Sequence, residues 1–174
     1  GLASQTITLD DTNVSVTEAN TVNSTTTGVL TATIESTALS TLVANLNDAE
    51  SGQSSDNAYS ITISSDDATA TAANLTSLNA LTSVAINAAA VNTVQGTVSQ
   101  INTLYQNYAD FIVDGTATLN GNEAYTLITD TTVAAGDIHT LKNTLDTVSS
   151  TRGTTTGVIN ANVVTVLTGT ASDI

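Results

Sequence analysis

Hydrophobic residues in this chain alternate between two patterns, short runs rich in Ile, Val, Leu, Tyr and Thr and stretches with apolar residues three or four apart. The first pattern is typical of strands and the second of helices. Three strand-like runs begin at Ile7, Tyr59 and Tyr125. Each leads through small polar residues into a helical pattern, over residues 14–25, 69–81 and 133–145. The chain therefore reads as strand, helix, strand, helix, repeated.

The second half of each segment also recurs. Residues 25–30 (TTTGVL) return as residues 154–159 (TTTGVI), and residues 91–101 parallel residues 163–174 with one insertion. Two half-motifs that recur in the same order indicate a true internal repeat. We predict one repeat array over residues 1–174, with units of about 1–57, 58–122 and 123–174.

The helical segments each present one apolar face and begin after a small polar residue. One face groups Leu39, Leu42, Val43 and Leu46; others group Leu75, Leu78 and Leu81, then Ile101, Leu104 and Tyr105, then Ile138, Leu141 and Leu145. Hydroxyl side chains can bond the free amides of a first helical turn. The predicted cap or near-cap residues are Thr37, Thr69 and Thr97.

Strands that alternate with helices pair most naturally in parallel. The predicted fold is an α/β repeat solenoid, with parallel strands on one side and short helices on the other, in which each repeat buries its face against its neighbours. Turn pairs of the hairpin type occur only at Asp114-Gly115 and Asn120-Gly121. Residues 110–122 therefore form a possible hairpin insertion, which carries Phe111, Ile112 and Val113.

The composition favours many thin layers over one thick core. Apolar residues make up 40% of the chain but aromatics only 3%, and Met, Trp, Cys and Pro are absent. Small β-branched side chains suit stacked layers of similar shape. The lack of Cys excludes disulfides and thiolate chemistry. No apolar run reaches 18 residues, so no membrane span is expected.

The net charge of the chain restricts the kinds of molecule that it can bind. Sixteen acidic residues face only Lys142 and Arg152, which gives a formal net charge of −14. Binding of nucleic acid needs many cations on the protein and is therefore not expected. Docking on anionic lipid is disfavoured for the same reason. Such a surface suits solubility in salt or loose binding of divalent cations.

Five aspartates that follow the strand-like runs are the candidate metal ligands. The paired residues Asp10 and Asp11 match Asp66 and Asp67, and the third unit offers Asp130. Stacked repeats would align these side chains in a column of oxygen ligands suited to Ca²⁺. The alternative is that they serve as turn or helix-cap residues, and no Asp-x-Asp-x-Asp-Gly loop is present. Calcium is thus the one possible cofactor, and none is certain.

Groupings that support catalysis are missing from the sequence. His139 is the only histidine, and no Gly-x-Ser-x-Gly or Gly-x-Gly-x-x-Gly motif occurs. A glycosidase-like arrangement would need aromatic platforms beside paired acids, and four Tyr and one Phe offer little. We therefore expect no enzyme activity, and a carbohydrate-active solenoid is the weakest of three hypotheses.

The third unit resembles a Thr/Ala/Asn-rich repeat found in giant secreted cyanobacterial proteins of the hemolysin-like, RTX-like type, which include adhesins and surface proteins. The similarity lies in Thr126-Leu127 with residues 133–141, in residues 154–161 and in residues 165–174. It implies an extracellular or cell-surface repeat and no catalytic residues. The Gly-Gly-x-Gly-x-Asp nonapeptide that binds calcium in RTX proteins does not occur, so the resemblance implies no calcium site here.

These observations favour a structural, non-catalytic unit of an extracellular assembly, such as a filament, a surface layer or a giant adhesin. Neither end of the chain carries a polar capping face, which a free solenoid needs. We therefore expect copies of the chain, or flanking repeats of a longer one, to stack end to end. The alternative is a calcium-responsive extracellular binding module.

Overall fold

The fold is described by a computed structural model that covers residues 4–47, 56–113 and 116–170. Its helices are α1 (Val16–Asn23), α2 (Leu39–Asn45), α3 (Ala72–Asn79), α4 (Val98–Gln106) and α5 (Ala135–Arg152). Its strands are β1 (Ile7–Thr8), β2 (Leu30–Thr33), β3 (Ala58–Ser60), β4 (Thr69–Thr71), β5 (Thr93–Gly96), β6 (Ile112–Val113), β7 (Thr116–Ala117), β8 (Ala124–Leu127), β9 (Thr132–Ala134), β10 (Ile159–Asn160) and β11 (Val166–Thr168). Two 3-10 turns occupy Ser65–Asp67 and Tyr108–Phe111.

The described strands form small sheets in which all pairs but one are parallel. One sheet has the order β1-β2-β3, a second has the order β10-β8-β5-β4, and β11 pairs with β9 alone. Every partner in these sheets is parallel. The predicted α/β class with parallel strands is therefore confirmed.

The helices lie beside one another in chain order. Contacts join α2 to α3, α3 to α4, and α4 to α5. Two hydrogen bonds join α1 to the C-terminal end of α2. The Asn20 side chain of α1 donates to the Asn45 carbonyl at 2.6 Å and accepts from the Asn47 amide at 2.9 Å. No helix among the described residues is long and apolar enough to cross a membrane.

Side-chain caps explain where three of the helices begin. Ser15 and Glu18 form a capping box at α1, and Thr97 and Gln100 form another at α4. Thr71 accepts from the Asn74 amide at the start of α3. The predicted cap Thr97 is confirmed.

The other two predicted cap or near-cap residues, Thr37 and Thr69, lie just outside the helix starts. Ala38 is the N-cap of α2, and Thr69 belongs to β4, two residues before the cap Thr71. The N-cap Ala38 has no polar side chain, so the first amides of α2 need a partner from elsewhere in the fold.

The core consists almost entirely of aliphatic side chains from both layers. The predicted helix faces are buried at Leu39, Leu42, Leu46, Leu75, Leu78, Ile101, Leu104, Tyr105, Leu141 and Leu145. Val43, Leu81 and Ile138 pack against this core but are only partly buried. Three tyrosines and one phenylalanine supply its largest side chains, namely Tyr59, Tyr105, Tyr125 and Phe111.

The stretch of residues 110–122 contains the one antiparallel pair among the described strands. Ile112 lies opposite Ala117 and Val113 opposite Thr116. The predicted turn residues Asp114 and Gly115 lie outside the described residues. Phe111 is fully buried and its carbonyl accepts from the Thr118 amide at 2.8 Å, which anchors the base of this pair to the core.

Two glycines allow the chain to cross closely over the residues just before the first strand of their own predicted unit. A Cβ at Gly28 would overlap the Gln5 carbonyl, and a Cβ at Gly157 would overlap the Glu123 carbonyl. Both glycines belong to the recurring TTTGV motif. The repeat of this motif therefore has a steric cause, since only glycine permits the crossing.

We expect Gly157→Ala to destabilise the fold by about 2 kcal/mol or more, because the new methyl group must displace the Glu123 backbone. Gly136→Ala is the matched control, because a Cβ at this helical site meets nothing within 4 Å and gains about 1 kcal/mol of helix propensity. Urea denaturation of both variants measures the difference. Equal effects of the two substitutions would contradict the close crossing.

Candidate functional site

Two of the five predicted aspartates bind helix N-termini in the preceding part of the chain. Asp67 Oδ2 accepts from the Leu39 amide at 2.7 Å, and Asp130 Oδ2 accepts from the Val98 amide at 2.7 Å. Leu39 and Val98 are the first residues of α2 and α4. A carboxylate at this place satisfies a free amide and also interacts favourably with the helix dipole.

The two helices depend to different degrees on these carboxylates. Asp67 supplies the side-chain partner that Ala38 cannot provide at α2. At α4 the capping box of Thr97 and Gln100 is already present, and Asp130 adds a bond to a further amide. The cap interpretation of these two aspartates therefore has direct geometric support.

The remaining three aspartates, Asp10, Asp11 and Asp66, are exposed. Within residues 4–47, 56–113 and 116–170, no three acidic, His or Cys side chains come together as a metal site would require. Calcium binding by Asp10, Asp11, Asp66, Asp67 and Asp130 stays a prediction. The only histidine, His139, lies exposed on α5.

A spacing rule links three of these aspartates and could have been found in the sequence. Each stands five residues before the first residue of its own following helix: Asp11 before Val16, Asp67 before Ala72, and Asp130 before Ala135. Asp11 is thus the counterpart of the two capping residues, and Asp10 and Asp66 are not. The contact itself could not be predicted, because its partner lies 28 or 32 residues earlier in the chain.

Exposed apolar residues gather at the strands that follow α5. Val158 is 76% exposed, and Val166 and Leu167 are each 48% exposed. β11 pairs only with β9, and β10 is the outermost strand of its sheet. At the opposite end of the chain, β1 is likewise the outermost strand of its sheet. Outermost strands carry unpaired amides and carbonyls and can pair with another chain.

A single buried carboxylate, Glu123, directly precedes β8. The Glu123 carboxylate accepts from the Tyr105 hydroxyl at 2.7 Å, the Tyr125 hydroxyl at 3.1 Å, and the amides of Asn120 at 2.9 Å and Gly121 at 3.0 Å. The two tyrosine rings meet edge to face, with their centroids 5.4 Å apart. Burial, and then the Glu123 charge, raise the pKa of both tyrosines well above their usual range.

Asn57 occupies the corresponding place before β3. Its Oδ1 accepts from the Leu30 amide at 2.9 Å, and its Nδ2 donates to Asn23 Oδ1 at 2.9 Å and to the Tyr59 hydroxyl at 3.0 Å. The sequences Asn57-Ala58-Tyr59 and Glu123-Ala124-Tyr125 share this arrangement. Both polar residues act as internal partners of backbone amides, which indicates a structural role.

No protein-family model matches this chain, and no similar curated protein or solved structure is found.

We expect Asp67→Ala to lower the free energy of unfolding by about 1 kcal/mol, through loss of a helix cap. The control is Asp66→Ala, which removes the same charge from an exposed neighbour and should change the free energy by less than about 0.5 kcal/mol. Urea denaturation followed by circular dichroism tests the pair. Equal losses in the two variants would speak against the cap at α2.

We also expect stability to fall as the pH rises above about 10, the ordinary pKa of tyrosine. Above this pH Tyr105 or Tyr125 loses its proton in the unfolded chain and keeps it in the folded chain. Since the folded chain then binds more protons than the unfolded one, the free energy of unfolding decreases as the pH rises. Each tyrosine adds up to about 1.4 kcal/mol per pH unit to this fall. Tyr105→Phe should make the fall less steep in denaturation curves recorded between pH 8 and 11. An unchanged slope would show that folding does not hinder the loss of the Tyr105 proton.

Proposed function

We propose that this chain is a structural, non-catalytic unit of an extracellular assembly, a filament, a surface layer or a giant adhesin, in which α/β solenoid repeats stack end to end. The observation that carries the proposal is the exposed apolar strand β11. Leu167 there is 48% exposed, whereas Val94 on β5, which pairs with a strand on each side, is fully buried.

The end strands support stacking through their backbone as well. β1 and β11 are short parallel strands whose outer edges have no strand partner in the described chain. The two ends differ in sequence, so contact between them is heterologous and adds one copy after another in the same direction. Such contacts build open filaments, or rings where the rotation closes.

The extracellular setting is supported by composition and by the resemblance of the third unit to secreted repeats. A net charge of −14 suits a protein that stays in solution in salty surroundings. The same charge keeps single copies apart at low ionic strength, since like-charged chains repel until salt screens them. Assembly should therefore strengthen with salt.

We expect the chain to form oligomers whose size grows with protein concentration in about 0.15 M salt or above, where charges are screened beyond roughly 8 Å. Leu167→Glu should weaken this association at least tenfold, because it places a carboxylate in the apolar joint. Asn143→Glu, an exposed change on α5, adds the same charge away from the strand edges and is the control.

Sedimentation velocity over a range of concentrations, with electron microscopy of the same samples, measures both effects. A chain that stays monomeric at all concentrations and salt levels would contradict the proposal. Equal weakening by Leu167→Glu and Asn143→Glu would show that charge, and not the edge strand, controls association.

A further inference from the structure

The chain contains two internal joints that share one design. At the first, β2 pairs with β3 and Ala32 lies opposite Tyr59, while Asp67 caps α2. At the second, β5 pairs with β8 and Val94 lies opposite Tyr125, while Asp130 caps α4. Each joint thus combines a parallel strand pair with a carboxylate that reaches back to the preceding helix.

The first strand of the chain carries one half of this joint. Ile7 lies opposite Leu30 just as Tyr125 lies opposite Ile159, so Ile7 and Tyr125 are equivalent positions. Tyr125 is fully buried and Ile7 is only partly buried. Asp11, the equivalent of Asp67 and Asp130, is exposed.

The last strand carries the other half. β11 pairs with β9 in the register in which β5 pairs with β4, since Val166 lies opposite Thr132 and Thr93 opposite Thr69. Leu167 is therefore the equivalent of Val94. The sequence that follows continues the match, because residues 169–174 read Gly-Thr-Ala-Ser-Asp-Ile and residues 96–101 read Gly-Thr-Val-Ser-Gln-Ile.

We infer that a second copy of this chain completes the joint, in the register in which β5 pairs with β8. Ile7 and Thr8 of one copy pair in parallel with Leu167 and Thr168 of the other. This inference rests on the proposed end-to-end stacking and adds its register.

The complementarity of the two ends carries the inference. One end offers the outer edge of β11 with its exposed apolar residue Leu167, and the other offers the outer edge of β1 with the partly buried Ile7. Pairing them would bury Leu167 as β8 buries Val94. A pairing shifted by one residue would turn Leu167 to the opposite face and lose this match.

A disulfide test reads the register directly, because the chain has no native Cys. Thr8→Cys with Thr168→Cys should give a ladder of covalent oligomers on a non-reducing gel after mild oxidation. Gln95→Cys with Thr126→Cys is the internal control, since these residues are partners across β5 and β8. It should give a cross-link within single chains and show that this geometry accepts a disulfide.

The off-register control is Thr8→Cys with Val166→Cys. Two residues of strand shift the partners by about 6.6 Å, which takes their Cα atoms beyond the roughly 7 Å that a disulfide spans. A ladder from the pair with Thr168 and little from the pair with Val166 is the expected result. If the two cysteine pairs gave ladders of equal strength, or if only the pair with Val166 gave a ladder, the proposed register would be overturned. End-to-end stacking would still stand in either case.

A wild-type chain that never associates would overturn both this inference and the proposed function. A chain that associates but gives no ladder from the pair Thr8 and Thr168 would overturn only the inference, so the two failures can be told apart.

Discussion

Parallel pairing between short strands of successive repeats is the constraint on which the rest of this structure depends. The paired strands are only two to four residues long, and strands of this length are not stable without partners on the same sheet. β5 has a partner on each side, β4 and β8, and its Val94 is fully buried. β1 and β11, by contrast, are outermost strands, and each keeps one edge that nothing in the described chain pairs with.

Short strands also create many bends, and bends leave backbone groups that need partners. Several buried polar side chains serve this purpose. Asn57 accepts from the Leu30 amide, and Glu123 accepts from the amides of Asn120 and Gly121. Thr82 both accepts from the Tyr59 amide and donates to the Tyr59 carbonyl. Because an unpaired buried amide costs about as much as a lost hydrogen bond, these residues allow the chain to turn inside a thin core.

Much of the fold could be predicted from the sequence, because its signals are local. The alternation of strand-like and helical patterns gave the α/β class and parallel pairing, and the spacing of Leu39 and Leu42 gave the buried face of α2. Thr97 was identifiable as a cap because its partner Gln100 lies three residues away.

The candidate site was harder to predict, because its contacts join distant residues. Asp67 was identified as a metal, turn or cap residue, but its partner Leu39 is 28 residues away, and no local pattern specifies that distance. The cap at α2 was missed for a related reason. Ala38 has no side-chain acceptor, so the nearby Thr37 looked suitable, whereas the fold supplies a carboxylate from the next repeat.

The placement of the caps makes some helices depend on the neighbouring repeat. α1 and α3 carry their own caps in Ser15 and Thr71. α2 receives its side-chain cap from Asp67, so its first turn is complete only when the following repeat is folded against it. A helix whose first turn is completed from outside depends for its stability on the segment that carries the capping residue. The contact between Asp67 and Leu39 therefore couples α2 to a part of the chain 28 residues away.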